Sequence, residues 1–191
     1  KAKLVKEGKI KPQKPLPPIT KDEKPFDIPD NWVWVRLGDI GSWRSGTTPI
    51  RSKTEYYTNG TFPWIKTGEL NDNYISDVEE KITAKALEEC SLPILEPDEI
   101  LMAMYGATIG KLGILKFKAV TNQACCACKL FGGINNKFLF NLLLAFRDNF
   151  RKQGAGGAQP NISKEKIINT IVPLPPISEQ KRIVATLEQL L

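Results

Sequence analysis

No histidine occurs anywhere in the 191 residues of this chain, which excludes Ser-His and Cys-His nucleophilic catalysis outright. Cysteine is nearly as scarce: Cys90, Cys125, Cys126 and Cys128, the last three inside the apolar run from Ala124 to Phe131. In a strand Cys126 and Cys128 share one face while Cys125 points to the other, so three converging metal ligands are hard to build. The four are read as buried, reduced thiols. No run approaches the roughly 18 apolar residues of a membrane span, and the basic N-terminus is not followed by an apolar signal segment, so a cytoplasmic chain without membrane contact is expected.

Two catalytic patterns are approached and missed. Gly106-Ala107-Thr108-Ile109-Gly110-Lys111 imitates a phosphate loop, but its second glycine arrives one residue early and Leu112 stands where a Ser or Thr should hold magnesium. A glycine turn between strands is the better reading, with Lys111 still able to touch a backbone phosphate. Asp30 with Glu79-Glu80-Lys81 imitates the acid, acid-x-Lys pattern of a metal nuclease, yet Asp30 falls in a turn rather than on a strand. A metal-dependent nuclease is therefore the least favoured alternative.

What is present is a chain that nearly closes on itself. Lys14-Pro15-Leu16-Pro17-Pro18-Ile19 reappears as Val172-Pro173-Leu174-Pro175-Pro176-Ile177, two Pro-rich hinges that bracket one module. After the second hinge, Ile183, Leu187, Leu190 and Leu191 fall on one helical face, a stripe that one domain does not easily cover and that suits an opposing helix or weak self-association. The segment Lys1–Ile10 reads as the end of another helix, so the chain is expected to be one module of a longer array.

Net charge is +6, but residues 1–24 hold eight lysines against Glu7, Asp22 and Glu23, leaving only +1 for the folded body. Clustering says more than the total: around Arg44, Arg51, Lys53 and Lys66 only Glu55 stands in opposition, a patch suited to phosphates.

Between the hinges, Trp32–Leu37 alternates as a half-buried strand, and Gly41–Gly60 is polar and aperiodic, a surface loop. Phe62–Lys66 is a short strand and Thr83–Cys90 a short helix capped by Thr83. Apolar strands follow at Ile100–Tyr105, Ile109–Leu115 and Ala124–Phe131, with Gly106 and Gly113 at bends. Asn136–Gln153 carries Phe138, Leu139, Leu142, Leu143, Phe146 and Phe150 at helical spacing. A glycine loop from Gly154 to Asn161, a short helix capped by Ser163 and a strand at Ile168–Val172 close the module. The expected class is α+β: a strand-rich mixed domain with one long internal helix, flanked by helix stubs.

The loops hold binding chemistry. The first offers Arg44, Ser45, Thr47, Arg51, Lys53, Tyr56 and Tyr57; Lys66, Thr67, Asn71 and Asn73 extend it. Tyr105, Asn122 and Gln123 sit at strand ends, and the glycine loop presents Gln153, Gln159 and Asn161. Cations, hydroxyls, amides and aromatics in this mix suit phosphates and base edges. Arg44, Arg51, Lys53 and Lys66 are the expected phosphate contacts, and Thr47, Tyr56, Asn71, Tyr105, Gln123, Gln159 and Asn161 the expected base readers. A protein-interaction adaptor acting through the terminal helix is the rival from another class.

Taken in order, a set of motifs resembles the specificity subunits of type I restriction-modification systems. They are Ile28-Pro29-Asp30-Asn31-Trp32, Val35-Arg36-Leu37-Gly38-Asp39-Ile40, Gly46-Thr47-Thr48-Pro49 and Pro63-Trp64-Ile65-Lys66-Thr67-Gly68. Tyr105–Lys111, Asn122-Gln123-Ala124, Gly157–Ile162, Pro173–Ile177 and Glu179–Ile183 continue them. The resemblance implies a target recognition domain at 25–176 that reads half of a bipartite site in double-stranded DNA. It also implies that 1–24 ends a preceding spacer helix and hinge, and that 177–191 begins the next spacer helix. Such helices pair as an antiparallel coiled coil and dock modification (methyltransferase) subunits. No cofactor is then expected in this chain; S-adenosylmethionine, ATP and magnesium would serve the modification and restriction (translocase and nuclease) subunits.

Overall fold

The computed structural model describes residues 5–8, 15–156 and 160–190. Gln159 and Leu191, named above as candidate residues, lie outside them, as does most of Lys1–Ile10. Along the described chain run β1 (Val33–Arg36), the single turn α1 (Leu37–Ile40), β2 (Gly41–Ser45), β3 (Phe62–Ile65), β4 (Asn73–Ile75), β5 (Lys81–Ile82) and α2 (Ala84–Glu89). Then come β6 (Ile100–Ala103), β7 (Leu112–Leu115), β8 (Val120–Thr121), β9 (Cys125–Leu130), α3 (Asn136–Ala145), α4 (Arg147–Gly154), α5 (Lys164–Asn169), β10 (Ile171–Leu174) and α6 (Ile177–Leu190). The class is α+β, as the sequence indicates.

A five-stranded sheet in the order β2-β9-β6-β7-β4 forms the middle layer, antiparallel except where β4 runs parallel to β7. Its inner strands β9, β6 and β7 read as largely apolar runs because both faces are covered. Ile100, Met102, Leu112, Ile114, Cys126 and Cys128 pack toward Leu139, Leu143, Phe150 and Ile167 of the helices. Leu101, Ala103, Cys125 and Ala127 face Ile65, Leu70 and Ala119 on the other side, where the three-stranded sheet β5-β3-β8 lies. Beyond that sheet, Tyr56, Trp64, Ile82 and Val120 pack with Ala86 of α2. The cysteines thus divide between two faces as the period of two requires. Burial raises all three thiols, Cys126 to about 12, which keeps them protonated and inert.

Several sequence expectations give way here. Gly41–Ser45 is not loop but the edge strand β2, paired with Leu130–Cys126, and Trp43 is buried with its indole N–H donating to Leu37 O at 2.8 Å. Its partner strand lies some eighty residues away, so no local pattern announces it. The long helix is two, broken at Phe146, whose φ −86° and ψ 2° leave the helical region. Ile109–Gly110 precede β7 rather than joining it, and Gly113 is no bend. A Cβ there would lie 2.5 Å from Ile75 Cδ1, so glycine lets β4 close on β7. Gly106, at φ +61°, does turn the chain. Ile168–Asn169 end α5, while Val172–Leu174, read as a hinge, belong to β10, which pairs antiparallel with β1. Pro173 is tolerated because this is a two-stranded ribbon and its missing N–H faces no third strand.

The terminal helix α6 is held by its own domain. Gln180, 1% exposed, donates to Pro175 O at 2.9 Å and accepts from Asn135 N at 2.8 Å, and Val184 is buried one turn on. Ile183 and Leu187 are half-covered, so the stripe is less bare than its sequence suggests; Leu190 is 76% exposed.

Candidate nucleic-acid interface

Strand direction decides where the loops go. β2 and β6 run one way while β9, β7 and β4 run the other, so the segments after β2, before β9, after β6, before β7 and before β4 all leave the same end of the sheet. Backbone bonds stitch them together: Thr47 N to Thr121 O at 3.0 Å, Met104 N to Ala124 O at 2.8 Å, Asp72 N to Leu112 O at 2.9 Å and Gly106 N to Pro160 O at 2.9 Å. Asn122 N reaches Ile65 O at 3.0 Å, which brings the end of β3 alongside, and Tyr105 forms a bridge with Asn161. Gly46 makes the first loop possible, since a Cβ there would sit 1.7 Å from Thr121 O.

Ten of the residues singled out from sequence gather at this end: Thr47, Lys66, Thr67, Asn71, Asn73, Tyr105, Lys111, Asn122, Gln123 and Asn161. The side chains of Thr47, Thr67, Asn71, Tyr105, Lys111 and Asn161 make no hydrogen bond to the described residues, and Tyr105 is 39% exposed. Gln123 accepts from Thr48 Oγ1 at 2.5 Å and keeps its amide N–H groups for other partners. Asn122 and Asn73 spend their side-chain oxygens on nearby backbone, accepting from Ala124 N at 3.0 Å and Tyr74 N at 2.7 Å, and Asn73 stays exposed.

Other candidates are committed elsewhere. Tyr56, expected to read a base, is 3% exposed, with its hydroxyl 2.5 Å from Glu89 and 2.9 Å from Lys53 Nζ. Burying the ring is what closes the small sheet over the loop. Arg44 ties Glu99, 3% exposed, at 2.5 Å, and donates to Ile94 O at 3.3 Å. It is a structural cation, not a loop phosphate contact. Tyr57 donates to Pro49 O at 2.6 Å. Ser45 lies half-buried in β2, and Gln153 bonds Asn149 and Thr170 on the helical side.

The basic patch also looks different once folded. Arg51 forms a two-point pair with Glu80, and Lys66 stands 3.1 Å from Glu80 and 3.6 Å from Glu79. Lys53 is 3.6 Å from Glu89. Folding delivers carboxylates that lie 29, 14 and 36 positions away in sequence from these cations, where only Glu55 had been visible.

Sequence reading missed Arg147 and Asp72. Asp72 sits at φ +59°, its carboxylate accepting from Leu112 N at 2.9 Å and pairing with Arg147, which also donates to Gly110 O at 3.0 Å. One guanidinium thereby fixes the Asn71–Asn73 turn and the Tyr105–Lys111 loop to each other. The Asn-Asp-Asn run signals a turn; nothing local names its partner. Among the described residues no group of three or more metal-ligating side chains assembles, and no helix is long and apolar enough to cross a membrane.

The model of the type I restriction modification DNA specificity domain matches residues 29–191. Over 214 residues the chain is 33% identical to the Type I restriction enzyme EcoAI specificity subunit of Escherichia coli, an alignment covering 100% of this chain and 33% of that protein. It is 32% identical to the MjaIX specificity subunit of Methanocaldococcus jannaschii, over 84% of this chain and 38% of that one. Among solved structures, the HsdS subunit from Thermoanaerobacter tengcongensis superposes with a TM-score of 0.67 at 24% identity, covering 86% of this chain and 38% of that one. The type IIG restriction endonuclease BpuSI shares the fold at 10% identity and a TM-score of 0.57, over 81% of this chain and 26% of that one. The chain spans 33% to 40% of the length of the curated relatives it matches.

Proposed function

The chain belongs to the family of type I restriction modification DNA specificity domains, and from that membership we propose that residues 25–176 are a non-catalytic target recognition domain reading one half of a bipartite site in double-stranded DNA. One observation carries the reading: the loops that leave a single end of the central sheet bring Thr47, Asn71, Tyr105, Lys111 and Asn161 together with no internal partners for their side chains among the described residues. Hydrogen-bonding groups left unpaired on a rigid platform are what base-edge readout needs, because the protein gives up no internal bonds on docking. Asn71, Gln123 and Asn161 carry amides able to pair with adenine N6 and N7, Tyr105 and Thr47 carry hydroxyls, and Lys111 supplies a phosphate contact.

Residues 177–190 form a helix whose exposed end, at Leu190, is the surface left for an opposing spacer helix, with a weakly bound second copy as its substitute. In the assembled enzyme, modification subunits would supply methyl transfer from S-adenosylmethionine, and restriction subunits ATP- and magnesium-dependent translocation and cleavage. A cytoplasmic location follows from that role.

Selection from a randomised duplex pool, without magnesium, tests the proposal. A short preferred sequence should be enriched by the chain joined to its modification subunits. A flat pool after several rounds, or magnesium-dependent cutting by the chain alone, would refute it.

A further inference from the structure

Beside the recognition end, Arg51 and Lys66 converge on one carboxylate. Glu80 receives both arms of the Arg51 guanidinium and stands 3.1 Å from Lys66 Nζ. All three groups reach solvent, with side-chain exposures of 54% for Arg51, 33% for Lys66 and 22% for Glu80. Arg51 does not depend on Glu80 for its place. Its guanidinium lies 4.5 Å over the Tyr57 ring and 4.8 Å over Trp64. Those rings are anchored in turn by the Tyr57 bond to Pro49 O and the Trp64 indole bond to Thr47 O at 3.2 Å. Lys66 is fixed from the other side, because Glu69 accepts from both Lys66 N at 2.7 Å and Glu79 N at 3.0 Å.

The arrangement is a preorganised two-cation anion site whose occupant is the chain's own carboxylate, next to the loop that presents Thr47. We infer that Glu80 is a specificity determinant: it stands in for a backbone phosphate on Arg51 and Lys66, and so withholds both cations from DNA of any sequence. Charge held against phosphates adds affinity without discrimination. Neutralising it internally lowers non-specific binding and leaves the weight of recognition on the base-reading side chains. The hydrogen bond from Arg51 holds the Glu80 carboxyl below its ordinary range, so it is ionised throughout the neutral region. This inference rests on the DNA-reading assignment above.

Glu80→Gln is the test, read by anisotropy on a duplex lacking the selected sequence, over a series of salt concentrations. Loss of one negative charge, which frees Arg51 and leaves Lys66 only the exposed Glu79 at 3.6 Å, should tighten non-specific binding by about three- to tenfold and steepen the salt dependence by roughly one to two units. The ratio of specific to non-specific affinity should fall. Glu80→Asp, which keeps the charge, should stay near wild type, and adding Arg51→Gln and Lys66→Gln to E80Q should cancel the gain. Melting curves confirm that each variant is folded. Unchanged or weaker non-specific binding by folded E80Q, with wild type still bound to its selected sequence, overturns the inference. If wild type and every variant fail on all duplexes, the recognition reading itself falls and takes this one with it.

Discussion

The two ends of the central sheet use polar side chains in opposite ways. At the end where β6 begins, polar groups are consumed by architecture: Glu99 holds Arg44, Asn136 donates to Asp98 O at 3.0 Å, Asn135 caps α3 through Phe138 N at 3.0 Å, and Gln180 pins α6. At the end where β6 finishes, Thr47, Asn71, Tyr105, Lys111 and Asn161 satisfy no internal need among the described residues. Composition does not separate the two sets, since both mix amides and charges. Only the partners do, and the partners are a property of the fold.

The largest effect is expected where a charge is buried. Arg44→Ala removes the cation from a Glu99 side chain that is 3% exposed and whose Oε2 already lacks a partner among the described residues, so unfolding in urea should show a loss of about 3 kcal/mol. Lys111→Ala and Asn71→Ala, at the other end, should stay within about 0.5 kcal/mol of wild type. Equal losses in all three would erase the distinction between the two ends.

Next come the proposed base readers. Asn71→Ala, Tyr105→Phe, Gln123→Ala and Asn161→Ala should each cost about 1–3 kcal/mol at one base pair of the selected site and little at others. Uniform weakening across all sequences would instead mark these side chains as backbone contacts.

Asp72→Ala asks whether the loops act as a unit. Without that carboxylate, Arg147 keeps only its bond to Gly110 O, and Leu112 N loses its acceptor. Preferences read by Asn71 and by Tyr105 should then relax together, by about 1 kcal/mol each, while those read by Gln123 hold. Relaxation at Asn71 alone would show that the two loops are positioned independently.

How much of this was legible in the sequence follows from the range of each interaction. The two caps were readable because they are local: Thr83 accepts from Ala86 N and Ser163 from Lys166 N, three residues on in both cases. The apolar runs of β6 and β9 were readable because burial on both faces leaves no alternation to misread. β2 was not, since Gly41-Ser42-Trp43-Arg44-Ser45 looks polar until β9 covers it. Nor was the burial of Tyr56, which depends on a small sheet assembled from β3, β5 and β8. The gathering of loops at one end was also beyond local pattern, because it depends on strand order. The electrostatic reading failed for the same reason: the carboxylates that neutralise Arg44, Arg51, Lys53 and Lys66 arrive from α2, from the β4–β5 connection and from the start of β6.

Lys53 and Lys111 put that lesson in its mildest form. The sequence points to both as phosphate contacts, and both lie in loops. Lys53 Nζ is bound to the Tyr56 hydroxyl, stands 3.6 Å from Glu89 and sits 4.8 Å over the Tyr56 ring, and the Tyr56 bond keeps its ammonium charged above the ordinary lysine range. Lys111 has no ion-pair partner among the described residues and sits at the recognition end, where Ala103 N donates to its carbonyl at 2.9 Å. Lys53→Ala removes a pair exposed by almost half on each side, so stability should change by less than about 1 kcal/mol. The salt dependence of DNA binding should not change with it. Lys111→Ala should leave stability alone and lower the salt slope by about one unit. Measured side by side on the selected duplex, a drop for Lys53 and none for Lys111 would move the DNA from the end of the central sheet to the flank formed by Tyr56 and α2.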